Sequence, residues 1–507
     1  MFVAVFLVAG YASMRYGKLW GETDTNVFAV LIRAMVDEAK LVPVQRVYPN
    51  GYGFPVLATY LVSISGLSVT GMQLAGGALL AVWVVLPVWL AYRELVGSAR
   101  GATLATVLIL IQPEFLFPIL RGTHEKFTRG LMFLCLFLLV RSILARQTWR
   151  RFAALLLGFY LASYALITFN NLLATSFIVA LGLALVLGLI MRYLIAPRSD
   201  SSDTMRRLLY AVSISLLLAF LFTFYAYPPA RHGLRIVESV WDRMAMLFLD
   251  VEEVAANPYH TLTTAWVSFP VYLIVSIANW LLLIASFVLW IVQTHTWWRK
   301  RTWPEEPRTI LLWSLYGAFG FLGAVSILVD VSGAIALNLQ HRIFPSFAMI
   351  AAPFVTAWSL RQQTFRTTTR PLAYGLLVVV ISFLSVVAVA KATNEPLVSN
   401  RWVFSTPAEF TGLDWARQNN PNGSTWAAFD SRLRASTGIQ YGWETQGAKF
   451  DSHDPAPSTR THLISDVMRA RSERLNLRLP IEGDSLRVYD NGAAELYHLR
   501  PRTPYQK

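Results

Sequence analysis

A chain of 507 residues that is 55% hydrophobic and only 15% charged, with a mean hydropathy of +0.46, is too apolar for a soluble globular protein of this length. Its net charge of +14 does not point to nucleic acid, because the basic residues fall in short clusters between apolar runs, the positive-inside pattern of a polytopic membrane protein. The single cysteine, Cys135, lies inside an apolar run and leaves no material for a disulfide framework or a cysteine-based metal centre.

In chain order, the first apolar segment, 1–12, has no positive residue ahead of it and reads as a retained span ending near Tyr16 rather than a cleaved signal peptide. A polar turn follows, with Glu22 and Asp24. An amphipathic helix is then expected from Thr25 to about Lys40, with Val27, Val30, Leu31, Ala34 and Met35 on one face and Arg33, Asp37 and Glu38 on the other. Residues 53–67 are apolar, but the Tyr48-Pro49-Asn50-Gly51 entry, Pro55 and Gly66 suit a helix lying in the outer interface. Further spans are expected near 72–92, 102–120, 131–144, 152–168, 172–191, 208–226, 265–292, 310–329, 343–360 and 372–390, which gives about eleven transmembrane helices.

The basic connectors 93–100, 146–151, 192–207, 297–308 and 361–370 are all assigned to the cytoplasm. Parity then puts a first loop, 17–71, outside, provided that 53–67 does not cross. Residues 1–392 read as the transmembrane domain and 393–507 as a soluble extracytoplasmic domain of mixed α/β type. In it, Thr406, Pro407 and Glu409 start one helix. Leu463, Ile464, Val467, Met468 and Leu475 suggest a second, and Asn491-Gly492 between Val488-Tyr489 and Leu496-Tyr497 signals a hairpin.

The midplanes of the spans carry no ionisable residues. Asp24, Glu114, Arg121, Glu125, Lys126, Arg129, Asp330, His341 and Arg342 gather instead at the outer ends. A transporter places its binding groups near the midplane, so this distribution favours chemistry at the outer membrane surface. Lys126 and Arg129 read most simply as residues snorkelling to the interface, and Glu114 as a paired structural acid or a support of the site. His124 and Glu125 adjoin, but Thr128 stands where a zinc-peptidase helix has its second histidine.

Three stretches resemble the GT-C superfamily of membrane glycosyltransferases, most closely the oligosaccharyltransferase catalytic subunits of archaea and bacteria. Asp24, followed by the loop with Tyr48-Pro49-Asn50-Gly51, is similar to the family's first acidic motif. Val85-Leu86-Pro87, Tyr92-Arg93-Glu94-Leu95, Gly101, Ile111-Gln112-Pro113, Arg121 and Gly122 lead to Glu125 as the family's sequence leads to its second acidic motif. His341-Arg342-Ile343-Phe344 opens a late span where the family has an arginine that contacts the donor pyrophosphate. Phe127 stands where the family's second motif has another acid or a histidine, and the outer domain's Trp-Trp-Asp motif has only a faint echo in Tyr441-Gly442-Trp443-Glu444.

The resemblance implies an inverting transfer, on the outer face of the cell membrane, of a sugar or glycan from a polyprenyl-phosphate or polyprenyl-pyrophosphate donor to an acceptor protein or glycan. Asp24 and Glu125 would be the catalytic acids, and with His124 as a further ligand they would hold Mg²⁺ or Mn²⁺, hard cations that favour carboxylate oxygen. Arg342 and Arg121 would bind the donor phosphate. A monosaccharide transferase using a polyprenyl monophosphate, a lipid-linked glycan transporter and a scaffold with a degenerate site are the competing readings.

Overall fold

The computed structural model describes residues 1–16, 23–41, 48–76, 79–144, 148–195, 202–231, 269–301, 304, 306–331, 339–361, 370–393, 395, 407–419, 425–427, 461–466, 469 and 485–498. Glu22, the predicted cap Thr406, and Val467, Met468 and Leu475 lie outside them, as do the side chains of Asp24, Asp330 and His341.

Among the described residues, eight helices are long and apolar enough to cross a membrane, and the protein is a polytopic membrane protein. They are α7 (Glu125–Leu144), α8 (Trp149–Phe169), α9 (Asn171–Ile195), α10 (Ser202–Leu221, continuing as a π-helical turn to Ala226), α11 (Phe269–Lys300), α12 (Pro307–Val331), α13 (Leu339–Arg361) and α14 (Arg370–Ala392). The other three expected spans take less regular forms. The first is α1 (Phe2–Tyr16), only 15 residues long. Met72–Gly76 form a π-helical turn, and Leu80–Val84 form a 3₁₀ segment that runs into α4 (Val85–Val96).

The expected span at 102–120 is broken, bending by 79° between α5 (Ala99–Leu110) and α6 (Pro113–Leu120). Pro113 explains the break. It has no N–H to continue the ladder, and its ring drives the preceding Gln112 to an extended ψ of 112°. The bend sends Arg121 and the loop after it back to the start of α7.

The helices enclose one large core in which Tyr92 and Phe115 meet Phe133 edge-on, with ring centroids 5.5 and 5.9 Å apart. On the far side α14 exposes Leu376, Val378, Val379, Phe383 and Val386, the apolar face a span turns to lipid.

Two short helices precede the bundle, α2 (Thr23–Glu38) and α3 (Gly53–Ser65). They share a core of Phe28, Ile32, Phe54, Ala58 and Val62. Phe28, Leu31, Ile32 and Met35 form the buried stripe of α2, whereas Val27, expected on that face, is 41% exposed. At 13 residues α3 is too short to span a bilayer, which needs roughly 20.

The 48–53 loop is tied to the ends of three spans. Asn171 N–H donates to Asn50 O at 2.7 Å, and Tyr227 Oη donates to Tyr48 O at 2.7 Å. Gly51 has φ +147°, and a Cβ there would stand 2.1 Å from Thr168 O. Gly51→Ala is therefore expected to lower the melting temperature of the purified protein by several degrees, because neither backbone can yield cheaply; an unchanged Tm would contradict this packing.

Towards the C-terminus, α15 (Pro407–Asn419) begins at Pro407 as expected. It packs beside a four-stranded sheet of β1 (Thr425–Ala427), β2 (Thr461–Ser465), β3 (Leu486–Asp490) and β4 (Ala494–His498), in the order β1-β2-β4-β3. The β3–β4 hairpin forms at the expected place, with Gly492 at φ +87° and Asn491 Oδ1 accepting from the N–H groups of Ala493 and Ala494. Of the second helix expected over Leu463 to Leu475, Leu463 and Ile464 lie instead in β2, a central strand buried at all five residues, whereas Asp466 and Arg469 just beyond it are helical. A short apolar run buried on both faces has no periodicity to separate helix from strand.

Candidate functional site

The π-helical turn Met72–Gly76 carries Gln73, which is 2% exposed. A buried amide must find partners, and Gln73 Nε2 donates to Thr25 O at 3.0 Å and to Gly122 O at 3.2 Å. These two carbonyls belong to the first turn of α2 and to the loop between α6 and α7. Gly122 allows the approach, since a Cβ there would come within 2.7 Å of Thr25 Cγ2. The backbone of Asp24, next to Thr25, is thus held beside the loop that leads into Glu125.

That loop is braced by a lysine from the first turn of α7. Lys126 is fully buried, and its ammonium donates to Arg121 O and, at 3.4 Å, to Thr123 O. Lys126 is therefore not a snorkelling residue; its charge is spent on two carbonyls of the loop between α6 and α7. Arg129 is not one either. It is 2% exposed and ties α7 to α13, donating to Ser346 Oγ at 2.7 Å and to Arg342 O at 3.0 Å.

Glu125 opens α7 with its side chain 18% exposed, and its Oε2 pairs with Arg121 Nη1 at 3.3 Å. Arg121 also lies 5.2 Å from the centre of the Phe117 ring and is 4% exposed. It acts first as the partner that holds Glu125. Arg342 differs, because it is exposed near the start of α13 and forms no ion pair among the described residues. Glu114 pairs with Lys391 at 2.8 Å and serves as a structural acid joining α6 to α14.

His124 is 5% exposed and packs against Phe28 and Tyr48, with ring centroids 5.1 and 5.6 Å away. Asn170 Oδ1 accepts from Leu173 N–H at 3.0 Å, so its Nδ2 faces His124 Nε2 at 2.7 Å and donates to it. A neutral ring then carries its proton on Nδ1, which has no hydrogen-bond partner among the described residues. In this tautomer neither nitrogen offers a free lone pair. Burial pushes His124 from its ordinary 6.5 down to about 4. The cations Arg121, Arg342 and Arg129 act in the same direction, and Glu125 opposes them.

Because the folded value is depressed, the fold favours neutral His124, and that contribution is present above pH 6.5 and lost as pH falls towards 4. His124→Gln is expected to remove this part of the acid destabilisation in melting curves taken from pH 7 to pH 4. An unchanged pH profile would contradict the buried neutral imidazole.

Among the described residues, no three of His, Cys, Asp and Glu gather as a metal cluster. The structure does bring the Asp24 backbone, His124, Glu125, Arg121 and the Arg342 helix start to one end of the bundle. Gln73 and Asn170 were missed in the sequence. The only signal for Gln73 is a lone amide in an apolar stretch, and for Asn170 an amide pair with Asn171 between two spans; each demands a partner without naming it.

The sequence matches no protein-family model and no curated protein. Solved structures do resemble it. The archaeal oligosaccharyltransferase AglB from Archaeoglobus fulgidus, in complex with an inhibitory peptide and a dolichol-phosphate, superposes with a TM-score of 0.55 at 12% identity, covering 100% of this chain and 75% of that one. The same organism's oligosaccharyltransferase tethered to an acceptor peptide containing the NVT sequon gives a TM-score of 0.51 at 13% identity, covering 98% of this chain and 74% of that one. At such identities the likeness is one of fold.

Proposed function

From the GT-C fold shared with these membrane glycosyltransferases, we propose that this chain transfers a sugar or glycan from a polyprenyl-phosphate or polyprenyl-pyrophosphate carrier to an acceptor at the outer membrane surface. The observation that carries the reading is the Gln73 bridge, which couples the turn bearing Asp24 to the loop bearing Glu125. In the proposed topology residues 17–71 and the 393–507 domain share that outer side.

The reaction is an inverting displacement. The acceptor's hydroxyl or amide attacks the anomeric carbon from the face opposite the phosphate, the bond from that carbon to the phosphate oxygen breaks, and Asp24 orients the acceptor and takes its proton. Arg342, exposed and without an ion-pair partner among the described residues, stabilises the charge that develops on the leaving phosphate. Arg121 adds to that field while holding Glu125 in place. Asp24 and Glu125 offer the carboxylate oxygens that suit Mg²⁺ or Mn²⁺, which when bound would add positive charge beside the donor phosphate. His124, with its ring engaged by Asn170 and the aromatic side chains, sets the position of Glu125 rather than binding metal.

A second reading keeps the chemistry and changes the donor to a polyprenyl monophosphate carrying one sugar. The missing Trp-Trp-Asp peptide-recognition motif favours it. Purified protein incubated separately with a lipid-pyrophosphate glycan and a lipid-monophosphate sugar is expected to form a glycosidic bond from one of them. Net movement of labelled carrier across vesicles with no new bond would replace both readings with a transporter.

A further inference from the structure

At the end of the bundle opposite Glu125 lies a cavity of about 460 Å³ between α4, α11, α12 and α13. Arg342 and Arg361 stand near the two ends of α13, about 30 Å apart at helical rise, so the cavity is separate from the candidate site. One wall is apolar, formed by Leu312, Phe354, Trp358 and Leu360. The other carries Glu306, Arg308, Thr309 and Arg361.

Glu306 holds the two arginines together, pairing with Arg308 Nη1 at 3.5 Å and with Arg361 Nη2. Arg361 Nη2 also donates to Thr309 Oγ1 at 2.5 Å, and Arg308 Nε donates to Glu94 O at 2.8 Å. Each guanidinium has five N–H donors, so several remain unspent among the described residues. One carboxylate between two guanidinium groups leaves a net positive cluster. It sits against an apolar wall at a level where membrane helices end, on the side that the basic connectors assign to the cytoplasm.

We infer that this cavity binds an anionic glycerophospholipid, its phosphate against Arg308 and Arg361 and the start of an acyl chain along Phe354 and Trp358. Charge complementarity selects the occupant. A phosphate diester accepts from a guanidinium fork in the bidentate way that this pair offers. The apolar wall favours a lipid over a soluble phosphate, and a zwitterionic lipid would bring its own cation towards the arginines.

The test is native mass spectrometry on the delipidated full chain in detergent, offered equal phosphatidylglycerol and phosphatidylcholine with identical acyl chains. Phosphatidylglycerol is expected to be retained over phosphatidylcholine by about fivefold, the contribution of one basic side chain near an anionic headgroup. Arg361→Gln is expected to bring the two to near parity, whereas Arg150→Gln, an exposed arginine at the same end of the bundle, leaves the preference intact. Arg308→Gln gives a second variant should Arg361→Gln fail to fold. Equal retention of the two lipids by the unaltered protein would overturn the inference. So would a preference that survives both cavity substitutions, or displacement of phosphatidylglycerol by equimolar glycerol phosphate.

Discussion

Asp24→Ala is expected to lower transfer activity by at least about 10²-fold, the scale set by loss of a positioned acid–base or electrostatic group. The same substitution should change stability little. An acid in the first turn of a helix such as α2 contributes only about 0.3–1 kcal/mol through the helix dipole. The contrast separates a catalytic acid from a structural one. A measurement on purified protein needs a Tm within a degree or two of the parent alongside the activity loss. Full activity in Asp24→Ala would remove Asp24 from the mechanism.

Gln73→Leu should have the second-largest effect, through a different route. It keeps Asp24 and Glu125 but deletes both hydrogen bonds that join their segments. Two net hydrogen bonds are worth about 1–3 kcal/mol together, which unfolding in denaturant will report. Misplacing reacting groups by about an ångström costs on the order of 10²-fold, so kcat should fall well beyond what partial unfolding explains. Gln73→Glu, isosteric but without the donor, is expected to reproduce the loss. Parent-like kcat in both variants would show that the bridge does not set the site.

Gln73 also marks how far the sequence could be read. The gathering of the Asp24 backbone, Glu125 and Arg342 at one end of the bundle was legible because these are charges at the ends of apolar runs, where membrane energetics leaves few alternatives. What holds them was not legible. The amide of Gln73 reaches across 48 and 49 residues and that of Asn170 across 46, and no local pattern encodes such a pairing.

The break at Pro113 was signalled by the proline itself, yet hydropathy alone merged α5 and α6 into one span. On α2, counting apolar residues put Val27 on the buried face, whereas the face is set by Phe54, Ala58 and Val62 of α3, which favour Phe28 and Ile32. Lys126 looked like a surface lysine because its partners are two carbonyls of the preceding loop, and carbonyl positions are invisible in composition. The strand β2 was lost to a helix for the same kind of reason: its neighbour β4 lies about thirty residues downstream in the chain, beyond the reach of local periodicity.

The central claim is that Asp24 and Glu125 act as one site. Mn²⁺ titration followed by electron paramagnetic resonance, on the parent, Asp24→Ala, Glu125→Gln and the double variant, tests it most directly. One bound Mn²⁺ in the parent is predicted, weakened about tenfold or more by either substitution, with the double variant less impaired than the two losses multiplied, as expected for ligands of one ion. Mn²⁺ binding that is undiminished in Glu125→Gln, or losses that multiply independently, would contradict it.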